Sequence, residues 1–178
     1  IMHLNLCPAI ATLDRSLLPI DYDPVTAMNV LSRSAPSSRI GDSALASRLA
    51  REIEGDVLFD TFSRGRYSTD ASIYQIEPIG VVVPKSEADV VSAIGIAADE
   101  MIPILPRGAG SSQCGQTVGE ALVIDTSKYL DQIFALDVDA ATVTVQPGVV
   151  LDRLNAFLRP HGLFFPVDPG ADASLGGM

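Results

Sequence analysis

Two cysteines, two histidines and no tryptophan occur among the 178 residues of this chain. Cys7 and Cys114 form no Cys-x-x-Cys pair and cannot supply a four-ligand metal site, so no metal is expected. Two cysteines do not make a disulfide framework, and free thiols in a reducing compartment are the expectation. His161 stands beside Gly162 at the end of an expected helix, where it reads as a capping or surface residue. Cations are also scarce: 12 Lys and Arg stand against 22 Asp and Glu, giving a net charge of −10. They are scattered rather than gathered in a stripe, which excludes a nucleic-acid surface, and the acidity reads as a solubility feature. No run of about 20 apolar residues exists to span a membrane. The opening segment Met2–Ala11 lacks a basic region and is soon followed by Asp14 and Arg15, so no secretory signal is expected.

What the chain does have is apolar content, 47% of its residues, enough to bury one sizeable core. Residues 1–41 show no sustained period. Pro8, Pro19, Pro24 and Pro36 punctuate them and Ser34–Ser38 resembles a linker, so the segment reads as an irregular N-terminal arm. Residues 42–75 read as a lead-in helix and connector. The helix begins near Asp42 or Ser43, carries Leu45, Ala46, Leu49, Ala50 and Ile53 on one face, and stops at a left-handed Gly55. Ser86, with Asp89 three residues on, caps a second helix running to Glu100, with Val90, Val91, Ile94, Ala97 and Ala98 at helical spacing. A third runs from about Val149 to Pro160, with Val150, Leu154, Phe157 and Leu158 sharing a face. Strands are expected at Ile102–Leu105, Ala121–Asp125, Gln132–Leu136 and Thr142–Gln146, the last alternating as a half-buried strand does. One crossover helix among consecutive strands argues for an α+β fold rather than a doubly wound sheet.

The densest signal is Pro106-Arg107-Gly108-Ala109-Gly110-Ser111-Ser112-Gln113-Cys114-Gly115-Gln116, a Gly/Ser loop between two apolar runs. Its glycines permit positive φ and close backbone approach, and successive N–H groups in such a turn form a concave anion site. The expectation is a phosphate or diphosphate cradle. A dinucleotide fingerprint fails, because Gln113 stands where the third glycine belongs and no amphipathic helix follows. A nucleoside-triphosphate loop fails as well, because Gln116 replaces the lysine.

The Pro106–Gln116 stretch resembles the first flavin-binding loop of the vanillyl-alcohol-oxidase / p-cresol-methylhydroxylase superfamily, with Ser111 where threonine is common. Further segments resemble that family in the same order over residues 56–178. Tyr74–Pro84 looks like its opening strand, Thr142–Val149 like its valine-rich strand with Pro-Gly, and Phe165–Gly170 with Leu175–Met178 like the start of its second flavin-contact region. The lead-in Arg64–Tyr74 narrows the resemblance to D-2-hydroxy-acid dehydrogenases, especially large members with an iron–sulfur module.

The resemblance implies a p-cresol-methylhydroxylase-type FAD-binding domain over residues 76–178. It would hold the first subdomain and the start of the second, incomplete at the C-terminus and without a substrate domain. It implies that Pro106, Arg107, Gly108, Ala109, Gly110, Ser111, Ser112, Gly115 and Gln116 hold the FAD diphosphate. Pro166, Asp168, Pro169, Ser174, Leu175, Gly176 and Gly177 would face the ribityl–isoalloxazine side. The cofactor is expected to be noncovalent, because Ser111 lies nearest to where some relatives carry a linking histidine. It further implies an FAD-dependent oxidoreductase turning a D-2-hydroxy acid into a 2-oxo acid by hydride transfer to flavin. The acceptor would be a quinone, an iron–sulfur module or another carrier, and the setting cytoplasmic, with peripheral association at the inner membrane as the alternative. No residue here is expected to be the catalytic base. A sugar or aldonolactone oxidase, an enolpyruvyl-sugar reductase and a non-catalytic nucleotide-binding module are the competing readings.

Overall fold

The computed structural model describes residues 2–5 and 38–178. Cys7, the prolines of the expected arm and all but the last residue of its Ser34–Ser38 cluster lie outside the described residues. The mixed α+β architecture stands, with two sheets.

The first sheet has four strands in the order β2 (Asp56–Leu58), β3 (Gly80–Val83), β5 (Leu122–Asp125) and β4 (Ile104–Arg107). Strands β3, β5 and β4 run parallel, and β2 closes one edge antiparallel. The inner strands are continuous apolar runs because both faces are covered. On one face Val82, Leu122 and Ile124 pack against Leu45 and Leu49 of α1 (Ser43–Glu52) and Ala93, Ile96 and Ala97 of α3 (Glu87–Asp99). On the other, Val81, Val83 and Val123 meet Leu58, Leu105, Tyr129 and Tyr67, the last from α2 (Thr61–Tyr67). The helices start where side chains satisfy free amides. Asp42 Oδ1 accepts from the amides of Ala44 and Leu45, Asp60 from Ser63, and Ser86 Oγ from Asp89.

The second sheet is antiparallel, in the order β1 (Met2–Asn5), β7 (Thr142–Val145) and β6 (Ile133–Asp137), with an irregularity at Phe134. Strand β7 alternates, burying Val143 and Val145 against α4 (Leu151–Leu158).

Several local expectations are corrected. Met2–Asn5, expected within the irregular arm, form β1, and Thr61–Tyr67, expected within a connector, form a helix. Of Tyr74–Pro84 only Gly80–Val83 join a ladder, since Pro78 has no N–H and the preceding residues bond piecemeal, the Ile76 amide to Ser68 O for example. Pro103 likewise delays β4 to Ile104, and β4 tolerates Pro106 because it is an edge strand. Helix α1 ends at Glu52 with Ile53 extended, and Gly55 is not left-handed. Its missing Cβ instead allows close approach to Val83, whose carbonyl oxygen would lie 2.4 Å away. Ala50 is exposed.

Helix α3 presents a different face from the one expected. Asp89, Ala93, Ile96 and Ala97 are buried, while Val91 is 71% and Ile94 44% exposed. Asp89 hides the true face from a hydrophobic count, yet its carboxylate is satisfied by the amides of Lys85 and Glu54. In α4 the buried set is Leu151, Leu154 and Leu158, and Phe157 turns outward. The chain continues in a 3₁₀ turn, Arg159–His161, and leaves it through a left-handed Gly162.

Candidate functional site

Strands β4 and β5 end side by side, with Arg107 opposite Asp125. The loop after Arg107 therefore emerges at the carboxyl edge of a parallel sheet, where α/β sheets commonly place ligands. There it faces the segment 167–178 across a cleft of about 540 Å³. Pro106, Gly108, Ala109, Gly110, Ser111, Ser112 and Gln116 line one wall, and Pro169, Ser174 and Gly177 the other. Thr117, Val167, Ala173 and Met178 also line it, and the sequence reading named none of them as ligand contacts. Val167 lies inside Phe165–Gly170, Met178 ends Leu175–Met178, and Thr117 directly follows the Pro106–Gln116 loop, so position along the chain is the available signal for these three.

The two walls interlock at Ser174. Its Oγ accepts from the Ala109 amide at 3.3 Å, and a Cβ on Gly108 would lie 1.9 Å from the same oxygen. Glycine at 108 leaves room for that hydroxyl. Gly110 is required by conformation, with φ +70°. Ser174 is held by an antiparallel bridge to Val150, and the Leu175 amide donates to Val149 O, which ties the second wall to the start of α4.

Inside the loop Ser112 acts as a hub. Its hydroxyl donates to Gln116 Oε1 at 2.7 Å and accepts from the amides of Cys114 and Gln116. The Ser112 proton is therefore committed within the loop, leaving Ser111 as the hydroxyl donor facing the cleft, and Gln116 keeps its NH₂ for a ligand. The amides of Gly110, Ser111, Ser112 and Gln113 have no acceptor among the described residues. Four successive unpaired donors on a concave turn suit a multiply charged anion.

A polar platform lies behind the loop. Arg107 donates to the carbonyls of Tyr67 (3.3 Å), Thr117 (3.1 Å) and Thr69 (2.9 Å), and stacks 5.2 Å from the centroid of the Tyr67 ring. The Tyr67 hydroxyl donates to buried Asp125 at 2.6 Å. Burial first, and the Asp125 carboxylate second, raise the Tyr67 phenol well above its ordinary pKa. Asp70 accepts from Thr117 through both N–H and hydroxyl. Partial burial alone would raise its pKa, but hydrogen bonds from Ser72 and Thr117 outweigh that and hold the carboxyl below the usual range.

Six of the residues read as contacts do not line the cleft: Arg107, Gly115, Pro166, Asp168, Leu175 and Gly176. The Arg107 side chain turns back to the platform. Gly115, with φ +75°, lies under the Tyr74 ring, and Leu175 is buried in the core. Gly176 abuts Pro147, while Asp168 caps its own turn by accepting from the Gly170 amide. Cys114 is exposed, and among the described residues no cluster of three or more His, Cys, Asp or Glu could hold a metal.

A family model described as "FAD binding domain" matches residues 78–178. A D-2-hydroxyglutarate dehydrogenase of Haemophilus influenzae is 38% identical over 72% of this chain, which covers 13% of that protein. A glycolate oxidase subunit of Bacillus subtilis is 36% identical over 67% of the chain and 26% of its own length. A probable mitochondrial D-lactate dehydrogenase of Danio rerio is 37% identical over 72% of the chain and 27% of its own length. Among solved structures, an alkyldihydroxyacetonephosphate synthase superposes with a TM-score of 0.66 at 21% identity, over 75% of this chain and 30% of the other. That likeness establishes the fold.

Proposed function

Since the chain belongs to the FAD binding domain family, we propose that it holds FAD noncovalently in the cleft between 106–117 and 167–178, within an enzyme that oxidises a D-2-hydroxy acid to a 2-oxo acid. The observation that carries this reading is the row of unpaired amides from Gly110 to Gln113, of which Gly110, Ser111 and Ser112 line the cleft opposite Ser174 and Gly177. Backbone donors can hold a diphosphate without the desolvation cost of burying several lysines.

In this reading the Gly108–Gln113 turn binds the diphosphate and Ser111 and Gln116 add side-chain donors. Ser174 joins the two walls so that both grip one ligand. Thr117, its hydroxyl proton given to Asp70, presents an oxygen lone pair to the cleft and accepts from the cofactor. Val167 and Met178 provide apolar cover. FAD, when bound, supplies the hydride-accepting chemistry. Electrons then leave to a quinone, an iron–sulfur module or another carrier. Among the described residues no helix is long and apolar enough to cross a membrane. A cytoplasmic enzyme, free or peripheral to the inner membrane, accords with the reading. The substrate class is supported by the names of the relatives, of which this chain spans only a part.

Two measurements on the complete enzyme test this. Acid precipitation is expected to release all the flavin into the supernatant; flavin retained on the protein would defeat the noncovalent assignment. Anaerobic addition of D-2-hydroxyglutarate, D-lactate or glycolate is expected to bleach the oxidised-flavin absorbance. If none of the three does so, the substrate class is wrong.

A further inference from the structure

The side chain of Arg107 does not line the cleft, yet it lies directly behind the cradle. A Cβ on Gly110 would be 2.6 Å from its Nη2 and 3.0 Å from its Cζ. Arg39, Arg48, Arg64 and Arg153 each meet a carboxylate oxygen. Arg107 meets none within ion-pairing distance among the described residues, and its hydrogen bonds go to three main-chain carbonyls, which are neutral. The nearest packed group, the Tyr67 ring, offers its π face, and the Tyr67 hydroxyl carries its proton to Asp125. The result is a fixed positive charge held from several sides against the back of an anion-shaped turn, with the nearest carboxylates, Asp125 and Asp70, each one hydrogen-bonded group away behind Tyr67 and Thr117. The chain as a whole carries −10, so a local positive field at this turn has to be built.

Resting on the FAD reading above, we propose that Arg107 is a positioning residue that also acts through space. It clamps the loop stem to Tyr67 and Thr69, and its charge, in no direct ion pair, stabilises the diphosphate without touching it. A preorganised charge behind backbone donors needs no reorganisation when the anion arrives, and in a partly dehydrated cleft it is screened less than a surface lysine.

The test compares FAD with riboflavin, which lacks the diphosphate, on the apo form of the complete enzyme, by quenching of flavin fluorescence. Arg107→Gln is expected to weaken FAD binding about tenfold while changing riboflavin affinity less than about twofold. Arg107→Lys keeps the charge and loses the fork, and is expected to keep the FAD-to-riboflavin affinity ratio near wild type even if its thermal stability falls. Equal loss of both ligands in Arg107→Gln would make the residue a clamp only and overturn the proposal. Should Arg107→Gln fail to fold, a collapsed ratio in Arg107→Lys would overturn it instead. If wild-type enzyme binds riboflavin but gains nothing from the diphosphate of FAD, the cradle reading itself falls, and this inference with it.

Discussion

The two sheets solve burial differently. In the four-stranded sheet every residue of β3 and β5 is buried, because helices cover one face and α2 with Tyr129 and Leu105 the other. In the three-stranded sheet β7 alternates half-buried Thr with buried Val, and β6 is exposed at Phe134, Ala135 and Asp137. A strand covered on both faces loses its alternation, and one covered on a single face keeps it. The cleft is built at the carboxyl edge of the first sheet and completed by a segment anchored on the α4 side of the second. The doubly covered sheet presents the turn, and the segment tied to the start of α4 forms the facing wall.

The sharpest way to break this contrast is to remove one leucine from each sheet. Leu122→Ala, at a fully buried position in the central strand β5, is expected to cost about 3–5 kcal/mol. Leu136→Ala, half-buried in edge strand β6, is expected to cost about 1–2 kcal/mol. Urea midpoints at constant slope measure both, and equal losses would end the distinction between a doubly covered and a singly covered sheet. Next in size is the junction. A Cβ on Gly148 would lie 2.4 Å from Thr126 O and 2.6 Å from Leu130 O, both on the segment joining the sheets. Gly148→Ala is expected to cost about 2–3 kcal/mol and to raise amide exchange in β6 and β7 more than in β3 and β5. Uniform exchange across both sheets would show that they open as one unit.

An effect no larger than that at Leu136 is expected at Tyr67, on the second face of the first sheet. Tyr67→Phe removes a hydrogen bond to a buried carboxylate and is expected to cost about 1–2 kcal/mol. The folded chain raises this phenol's pKa, so it binds the proton more tightly than the unfolded chain does. Its contribution is therefore complete below the ordinary tyrosine pKa of about 10 and is lost as pH climbs beyond that. Thermal melts from neutral to alkaline pH should show a steeper decline for wild type than for Tyr67→Phe. Parallel declines would remove Tyr67 from the account.

Much of this was legible in sequence where the cause was local. The helix start near Asp42, the cap at Ser86 and the strands β5, β6 and β7 follow from neighbouring residues, within a residue or two of the expected bounds. Misreadings arose where the cause was distant. Val91 and Ile94 are as apolar as Ala93 and Ile96, and only packing against α1 and the sheet selects the face. Asp89 is buried because the amide of Glu54, 35 positions away, needs an acceptor. Met2–Asn5 form a strand because β7 has a free edge to offer.

The sequence by itself determined that a Gly/Ser turn would leave strand β4 with glycine at 110 and 115, where φ is positive, since backbone freedom is a property of a single residue. Only the tertiary structure decided which groups that turn presents. It turned the Arg107 side chain inward to three carbonyls, committed the Ser112 proton to Gln116, and set Ser174 against Ala109 from 65 residues away. A donor's partner is a matter of distance and direction in space, and a residue's type fixes neither.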